Sequence, residues 1–165
     1  SVVRYGNVMG SRGSVIPFFL NQMKENCMTI TDKRMTRFNI TLLEGVKMVE
    51  WALINSIGGE IFVPKIPSYN IMDLANAISE KCEKKVVGIR PGEKLHEEMI
   101  SVSDAQNTVD LGNYYAILPN LKSILDEYED RYKNLNFVDE DFSYNSGTNQ
   151  DFLSIKQLKK LLKEY

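Results

Sequence analysis

An α/β fold is predicted by three observations. Segments of helical and strand period alternate along the chain, glycines and prolines punctuate the changeovers, and capping-box patterns stand at Thr41–Glu44 and Ser154–Gln157. The first stretch, Ser1 to Phe19, is a short apolar strand that runs straight into a glycine-rich turn. It has no cap, turn or polar lead-in, so the chain reads as the back half of something larger. Pro17 sits where a first helical turn tolerates proline, and Val15, Ile16, Phe18, Phe19, Leu20 and Met23 predict a largely buried helix to about Asn26. Met28 to Thr31 follows as a short strand. The Thr41 hydroxyl and Glu44 carboxylate suit opposite orphan amides of a helix start, after which Leu42, Val46, Val49 and Leu53 repeat on one face. Gly58-Gly59 stops that helix. Glu60 to Pro64 is then a strand, Asn70 to Lys81 an amphipathic helix and Lys85 to Ile89 another strand. Past Arg90 the pattern predicts a short helix from Gly92 to Ile100, a strand at Tyr114 to Leu118, an extended polar excursion over 139–153, and a terminal helix over 154–165.

At 165 residues, 43% hydrophobic and 25% charged, the chain is long enough for one domain with its own core. A formal charge of −2 supplies no basic surplus for a nucleic-acid backbone, although single arginines can still clamp a small anion. Cys27 and Cys82 lie far apart in an ordinary mix, which suggests reduced thiols in a cytoplasmic protein, with one disulfide as the alternative. Neither has a metal-ligand neighbour, so no metal is expected. No apolar run approaches the roughly 20 residues that span a bilayer, and no charged-then-apolar leader opens the chain. The lysines of the terminal helix read as its solvated face.

Gly6, Gly10 and Gly13 lie between a strand and a helix, and the next strand ends at Asp32, which imitates a dinucleotide-binding unit. The spacing G-x-x-x-G-x-x-G departs from G-x-G-x-x-G, and too few strands follow for a doubly wound sheet. His96 stands beside Glu97 and Glu98 in the expected 92–100 helix without a second histidine four residues on, so a zinc-protease pattern fails and a structural role is expected. No nucleophile elbow marks out a serine–histidine–acid set.

Longer motifs carry more information. R-Y-G-N-V-M-G-S-R-G-S-V-I-P-F-F at the start, M-T-R-F at 35–38, G-G-E-I-F-V-P-K-I-P at 58–67, R-P-G-E-K-L-H-E at 90–97, Y-N-S-G-T-N at 144–149 and F-L-S at 152–154 occur in this order. Together they closely resemble the inverting UDP-N-acetylglucosamine 4,6-dehydratases, extended short-chain dehydrogenases/reductases that act in cell-surface glycan precursor synthesis. The resemblance implies the C-terminal part of such an enzyme, its last Rossmann strand plus a small mixed α/β substrate-binding domain. Residues 1–13 would be the remnant of the Rossmann sheet and the hinge.

The resemblance also implies roles. The Tyr5-Gly6 backbone would pass the nicotinamide end of NADP, and Asn7 would contact the nucleotide-sugar, where an amide orients a phosphate or sugar oxygen without adding charge. A plain turn role is the alternative for Asn7. Ser14 and Val15 match contacts to the diphosphate-sugar at a helix N-terminus, with Arg12 either beside them or simply solvated. Thr29 and Thr31 match the strand that grips uracil, although β-propensity alone accounts for alternating threonines. Met35 would pack beside uracil or ribose, or fill the core. Arg37 and Arg90 match a diphosphate clamp, for which the guanidinium fork is suited, a surface or ion-pair role being the alternative for each. Glu93 would accept the ribose hydroxyls or serve the helix dipole.

The superfamily's catalytic Tyr-x-x-x-Lys is absent, since none of the eight tyrosines has a lysine four places on. The resemblance therefore implies a chain without catalytic residues and without turnover of its own. In the intact enzyme NADP carries the redox chemistry, water leaves from C6 and C5 is inverted, while this portion would spend binding energy from the remote UDP group on orienting the sugar. The intact enzyme is expected to be a cytoplasmic homo-oligomer. A non-catalytic oligomerisation module and the matching half of a UDP-sugar epimerase are the competing expectations.

Overall fold

The structure is a computed structural model that describes residues 1–119, 125–132 and 135–164. In chain order the elements begin with β1 (Val2–Val3), β2 (Asn7–Val8), α1 (Val15–Met23), β3 (Cys27–Ile30), β4 (Thr36–Ile40), α2 (Leu42–Asn55), β5 (Ile61–Pro64) and β6 (Ser68–Asn70). They continue with α3 (Ile71–Ile78), β7 (Glu83–Val86), β8 (Glu98–Ile100), α4 (Val102–Ala105), β9 (Thr108–Asp110), β10 (Tyr114–Ile117), α5 (Leu125–Tyr132), β11 (Tyr144–Asn145) and α6 (Ile155–Glu164). Where the sequence suggests one domain, contacts group these elements into two compact units, each assembled from three separate stretches.

The first unit comprises Ser1–Tyr5, Leu42–Lys65 and Glu98–Asn145. Its main sheet has the order β1-β5-β10-β9, with β1 parallel to β5 and β10 antiparallel to both β5 and β9. A parallel pair needs a crossover, and α2 supplies it between β1 and β5. The core gathers Met48, Ala52, Phe62, Val109, Ala116, Leu118 and Tyr128, with Trp51 edge-on to Phe62 at 5.2 Å. Glu60 is fully buried at the start of β5, where its carboxylate accepts from the N–H groups of Ile57 (2.7 Å) and Gly58 (2.9 Å) and from the Tyr132 hydroxyl (3.0 Å). With the Ser1 hydroxyl donating to Oε2 at 2.5 Å as well, four donors on one carboxylate are what allow a charge to sit inside a core.

Helix α2 corrects one detail of the sequence reading. The stripe Leu42, Val46, Val49 and Leu53 does lie along one face, yet it is exposed, Leu53 by 77%, and the buried face is Gly45, Met48 and Ala52. Helical periodicity finds apolar stripes, but this helix has two adjacent ones. The stripe of smaller residues is the one that packs.

The second unit comprises Gly6–Thr41, Ile66–Glu97 and Ser146–Tyr165. Tyr165, expected to close the terminal helix, lies outside the described residues. One sheet has the order β2-β4-β6, parallel then antiparallel, and a second pairs β3 with β7 in parallel. Helix α1 starts at N-cap Ser14 with Pro17 in its first turn, and Asn26 adopts a left-handed conformation (φ 56°) after it ends. The Asn70 side chain caps α3 by accepting from the Met72 N–H at 2.7 Å. The expected box opens α6, with the Ser154 N–H donating to Gln157 Oε1 (2.9 Å) and the Gln157 N–H to Ser154 Oγ (3.4 Å). Ile16, Phe19, Met28, Ile30, Leu74 and Leu158 form the heart of this unit's core.

The helix expected over 92–100 does not form. Thr36 N–H takes the Leu95 carbonyl (3.1 Å), and Arg37 takes the carbonyls of Lys94 and Leu95, so those groups are unavailable for i→i+4 bonds. His96 accordingly lies in a bend rather than a helix, and residues 98–100 form β8, which pairs with β11 inside the expected excursion. Strands β4, β6 and β9 and helices α4 and α5 have no counterpart in the sequence reading. Both cysteines are free thiols, Cys82 being buried. No helix among the described residues is long and apolar enough to cross a membrane.

A candidate nucleotide-sugar cleft

The second unit contains a cleft of about 280 Å³. Its walls come from β2, the start of α1, the end of β3, the β4 entry, the start of α3 and the 90–93 turn. Of the ten residues expected to bind substrate, Asn7, Ser14, Val15, Thr29, Thr31, Met35, Arg37, Arg90 and Glu93 line it, and Arg12 does not. Gly13, Phe18, Phe19 and Ile71 line it as well, a set the sequence reading does not single out. Phe18 leaves 45% of its surface open, and it follows Ser14 by one helical turn, a spacing that could have revealed it.

The side chains differ in how free they are. Arg37 is nearly enclosed, and its guanidinium donates to the carbonyls of Thr36 (2.6 Å), Leu95 (3.2 Å) and Lys94 (3.0 Å), while Nε lies 3.8 Å from Glu97 Oε1. It fastens the 94–95 segment to β4. Arg90 is exposed, and its guanidinium has no hydrogen-bond partner among the described residues. Its own N–H donates to Glu93 Oε2 at 3.1 Å, which closes the turn through Gly92 (φ 82°) and leaves Glu93 one uncommitted oxygen.

The N-terminal end of α1 faces the cleft. Ser14 is its N-cap, yet the hydroxyl makes no capping bond, and Oγ is a buried polar atom without a partner among the described residues. An orphan hydroxyl beside free helix amides suits an anionic oxygen. Thr29 is held by Gln22 of α1, whose Oε1 accepts from the Thr29 N–H at 2.9 Å and whose Nε2 donates to Oγ1 at 2.9 Å. The Thr29 amide is therefore already committed.

Asn7 and Glu97 form a pair that the sequence does not disclose. With the amide oriented to satisfy both groups, Asn7 Nδ2 donates to Glu97 Oε1 at 2.6 Å and to Oε2 at 3.2 Å. Oε2 also accepts from the Phe38 N–H at 3.1 Å. Burial pushes the Glu97 carboxyl above its ordinary value, against the Phe38 N–H and Arg37, which lower it. Next to it, the His96 ring bonds Thr36 Oγ1 through Nδ1 (2.7 Å), and Thr36 Oγ1 bonds Ser146 Oγ (2.8 Å). A Cβ at Gly147 would fall 2.6 Å from His96 Nδ1, so the ring is packed into a structural knot.

Neither Tyr5 nor Gly6 lines the cleft. Tyr5 is exposed, and Gly6 is pressed against Phe38, whose carbonyl oxygen would sit 3.3 Å from a Cβ there. The glycine-loop reading fails on topology, because β2 and β3 flank α1 but belong to different sheets. Asp32 is engaged as well. Arg34 grips both its oxygens, Nε at 3.0 Å and Nη2 at 2.8 Å, and this side-chain bonding lowers its pKa to about 2. The described residues contain no cluster of three or more potential metal ligands.

The fold is that of the C-terminal part of an extended short-chain dehydrogenase/reductase. Pen from Bacillus thuringiensis superposes on 98% of this chain with a TM-score of 0.83 and 33% identity, over 49% of its own length. The chain belongs to the polysaccharide biosynthesis protein family, whose pattern matches residues 1–119. It is 46% identical over 167 residues to an inverting UDP-N-acetylglucosamine 4,6-dehydratase of Campylobacter jejuni, covering 98% of this chain and 50% of that protein. It is also 46% identical over 121 residues to a UDP-glucose 4-epimerase of Rickettsia bellii, covering 70% of this chain and 36% of that protein. The chain thus spans about half the length of the curated relatives it matches.

Proposed function

We propose that the cleft binds the UDP end of UDP-N-acetylglucosamine and that the chain is the substrate-holding part of an NADP-dependent, C5-inverting 4,6-dehydratase. The observation that supports this reading most is one cleft in which an unengaged guanidinium, Arg90, accompanies an orphan hydroxyl at a helix N-terminus, Ser14. Both offer donors to a diphosphate and have little else to do. Arg37 shapes the wall, Phe18 gives an open aromatic face, and Glu93 keeps an oxygen for a ribose hydroxyl. NADP would supply the hydride chemistry when bound, by residues outside this chain for the most part; the 165 residues contribute binding and orientation and have no turnover alone. The intact enzyme is a cytoplasmic homo-oligomer in this reading.

Titration calorimetry of the chain with UDP and UDP-N-acetylglucosamine tests the proposal. Saturable binding of both, weakened in Arg90→Ala, is expected; heats indistinguishable from buffer for both nucleotides would sink it. The likeness to UDP-glucose 4-epimerases favours a second reading, an epimerase portion. Preference for UDP-glucose over UDP-N-acetylglucosamine in the same experiment would select it. A stable oligomer of the chain by light scattering, with no nucleotide affinity, would instead select a non-catalytic assembly module.

A further inference from the structure

We propose that Glu97 fixes the Asn7 amide in one orientation, Nδ2 on the carboxylate and Oδ1 toward the cleft, so that Asn7 recognises a hydrogen-bond donor on the ligand. The inference rests on the nucleotide-sugar reading of the cleft for its ligand, and on the protein alone for the lock.

An amide has a donor end and an acceptor end, whereas an ionised carboxylate only accepts. At 2.6 and 3.2 Å from two carboxylate oxygens, only the NH2 end is tolerated. Reversal would set acceptor against acceptor at hydrogen-bond distance. The carboxylate cannot swing aside to relieve this, because it is pinned from several directions. Its Oε2 accepts from the Phe38 N–H, and Arg37 Nε stands 3.8 Å from Oε1. The Glu97 backbone is held on both sides by one residue, its N–H donating to Ser146 Oγ (2.8 Å) and its carbonyl accepting from the Ser146 N–H (2.7 Å). Arg37 on β4 and Tyr69 on β6 are the other titratable groups that face it.

The consequence is chemical selectivity. A diphosphate oxygen carries no proton at neutral pH and offers Oδ1 nothing to accept. Sugar hydroxyls and an acetamido N–H are donors. Asn7 therefore reads the sugar side of a nucleotide-sugar and leaves the diphosphate to Arg90 and Ser14, which narrows the sequence expectation that it orients either a phosphate or a sugar oxygen. Glu97 acts through Asn7 and is a positioning residue.

Two measurements test this. In the ligand-free, 15N-labelled chain, the Asn7 side-chain NH2 resonances should titrate with the Glu97 carboxyl, and the titration should vanish in Glu97→Gln. The second measurement is UDP-N-acetylglucosamine affinity above neutral pH. Asn7→Asp sets two carboxylates against each other and should weaken binding by about tenfold or more. In Asn7→Asp/Glu97→Gln the glutamine NH2 can donate to the inner oxygen of the new carboxylate while the outer one still accepts, so affinity should return to within about threefold of the original. Affinity for UDP itself should stay level throughout. A double variant no stronger than Asn7→Asp would overturn the proposal, as would Asn7 NH2 resonances indifferent to pH. If the unsubstituted chain binds no UDP-N-acetylglucosamine, the reading of the cleft falls, and the titration alone then decides the lock.

Discussion

The two arginines of the cleft should separate cleanly into a structural and a binding residue. Arg37→Ala removes donors from three carbonyls, at 2.6, 3.0 and 3.2 Å, and the group lost is charged and nearly enclosed. Hydrogen bonds from charged groups are worth about 1.5–3 kcal/mol each, but the Thr36 carbonyl is local and Lys94 is exposed, so water recovers part of the loss. A net cost of about 3 kcal/mol follows, or roughly 6–12 °C in Tm at this chain length. Arg90→Ala removes an exposed side chain without a partner among the described residues and should stay within about 0.5 kcal/mol of the parent stability. If the cleft holds a diphosphate as proposed, the same substitution deletes a charged fork that would bind it, worth about 1.5–3 kcal/mol, hence about 10–100-fold in Kd. Urea unfolding followed by far-UV circular dichroism and calorimetry with UDP-N-acetylglucosamine read the two effects separately. An Arg37→Ala chain with the parent urea midpoint would refute the reasoning, and so would an Arg90→Ala chain that loses stability but not affinity.

Ser14→Ala should leave the ligand-free protein unchanged or up to about 1 kcal/mol more stable, because it removes a buried hydroxyl without a partner, while UDP affinity drops; a clear loss of stability in urea would contradict that assignment. Gly6→Ala would drive a methyl into Phe38 and should cost about 1–3 kcal/mol in urea unfolding, so an unchanged midpoint would show that β2 can shift. Burial raises the Glu60 carboxyl, but bonds from Ser1, Ile57 and Gly58 outweigh it and hold the pKa below its ordinary value of 4.5. The native state therefore resists protonation, and the stability Glu60 contributes is complete above that value and lost as pH falls through the lower folded one. Glu60→Gln should be about 1–3 kcal/mol less stable at neutral pH and show a shallower acid limb in thermal melts; an equally steep limb would place the acid sensitivity elsewhere.

Much of the cleft is legible because its residues sit in long motifs, and those motifs bend where local chemistry demands it: Ser14 before a helix with Pro17, and Gly92 after Arg90. Helices α1, α3 and α6 are legible from local signals too, α1 from Pro17 in its first turn, α3 from its amphipathic period and α6 from the Ser154–Gln157 box. What stays hidden is pairwise and remote. β4 is polar in part, Thr36-Arg-Phe-Asn-Ile, and becomes a strand only because Asn7–Val8 and Ser68–Asn70 flank it. The 92–100 segment has an acceptable helical composition, but its carbonyls are claimed by Thr36 and Arg37. Glu97 reads as one more acid in a charged motif, since nothing near it in sequence names Asn7 as its partner. The buried stripe of α2 escapes a hydrophobicity count because Leu53 is more hydrophobic than Ala52, whereas packing follows shape.

The hydroxyl pair Thr36–Ser146 bridges a sequence separation of 110 residues, and both side chains are buried. In kinetic terms, this joint requires the two ends of a long loop to meet. Closing a longer loop costs only logarithmically more entropy, so distance slows the joint's formation more than it weakens it. The segment that carries Glu97 is therefore steadied by a non-local contact, through a serine 49 residues further along the chain. A ribosome releasing this polypeptide would have made every cleft-lining residue well before the joint that steadies them could close.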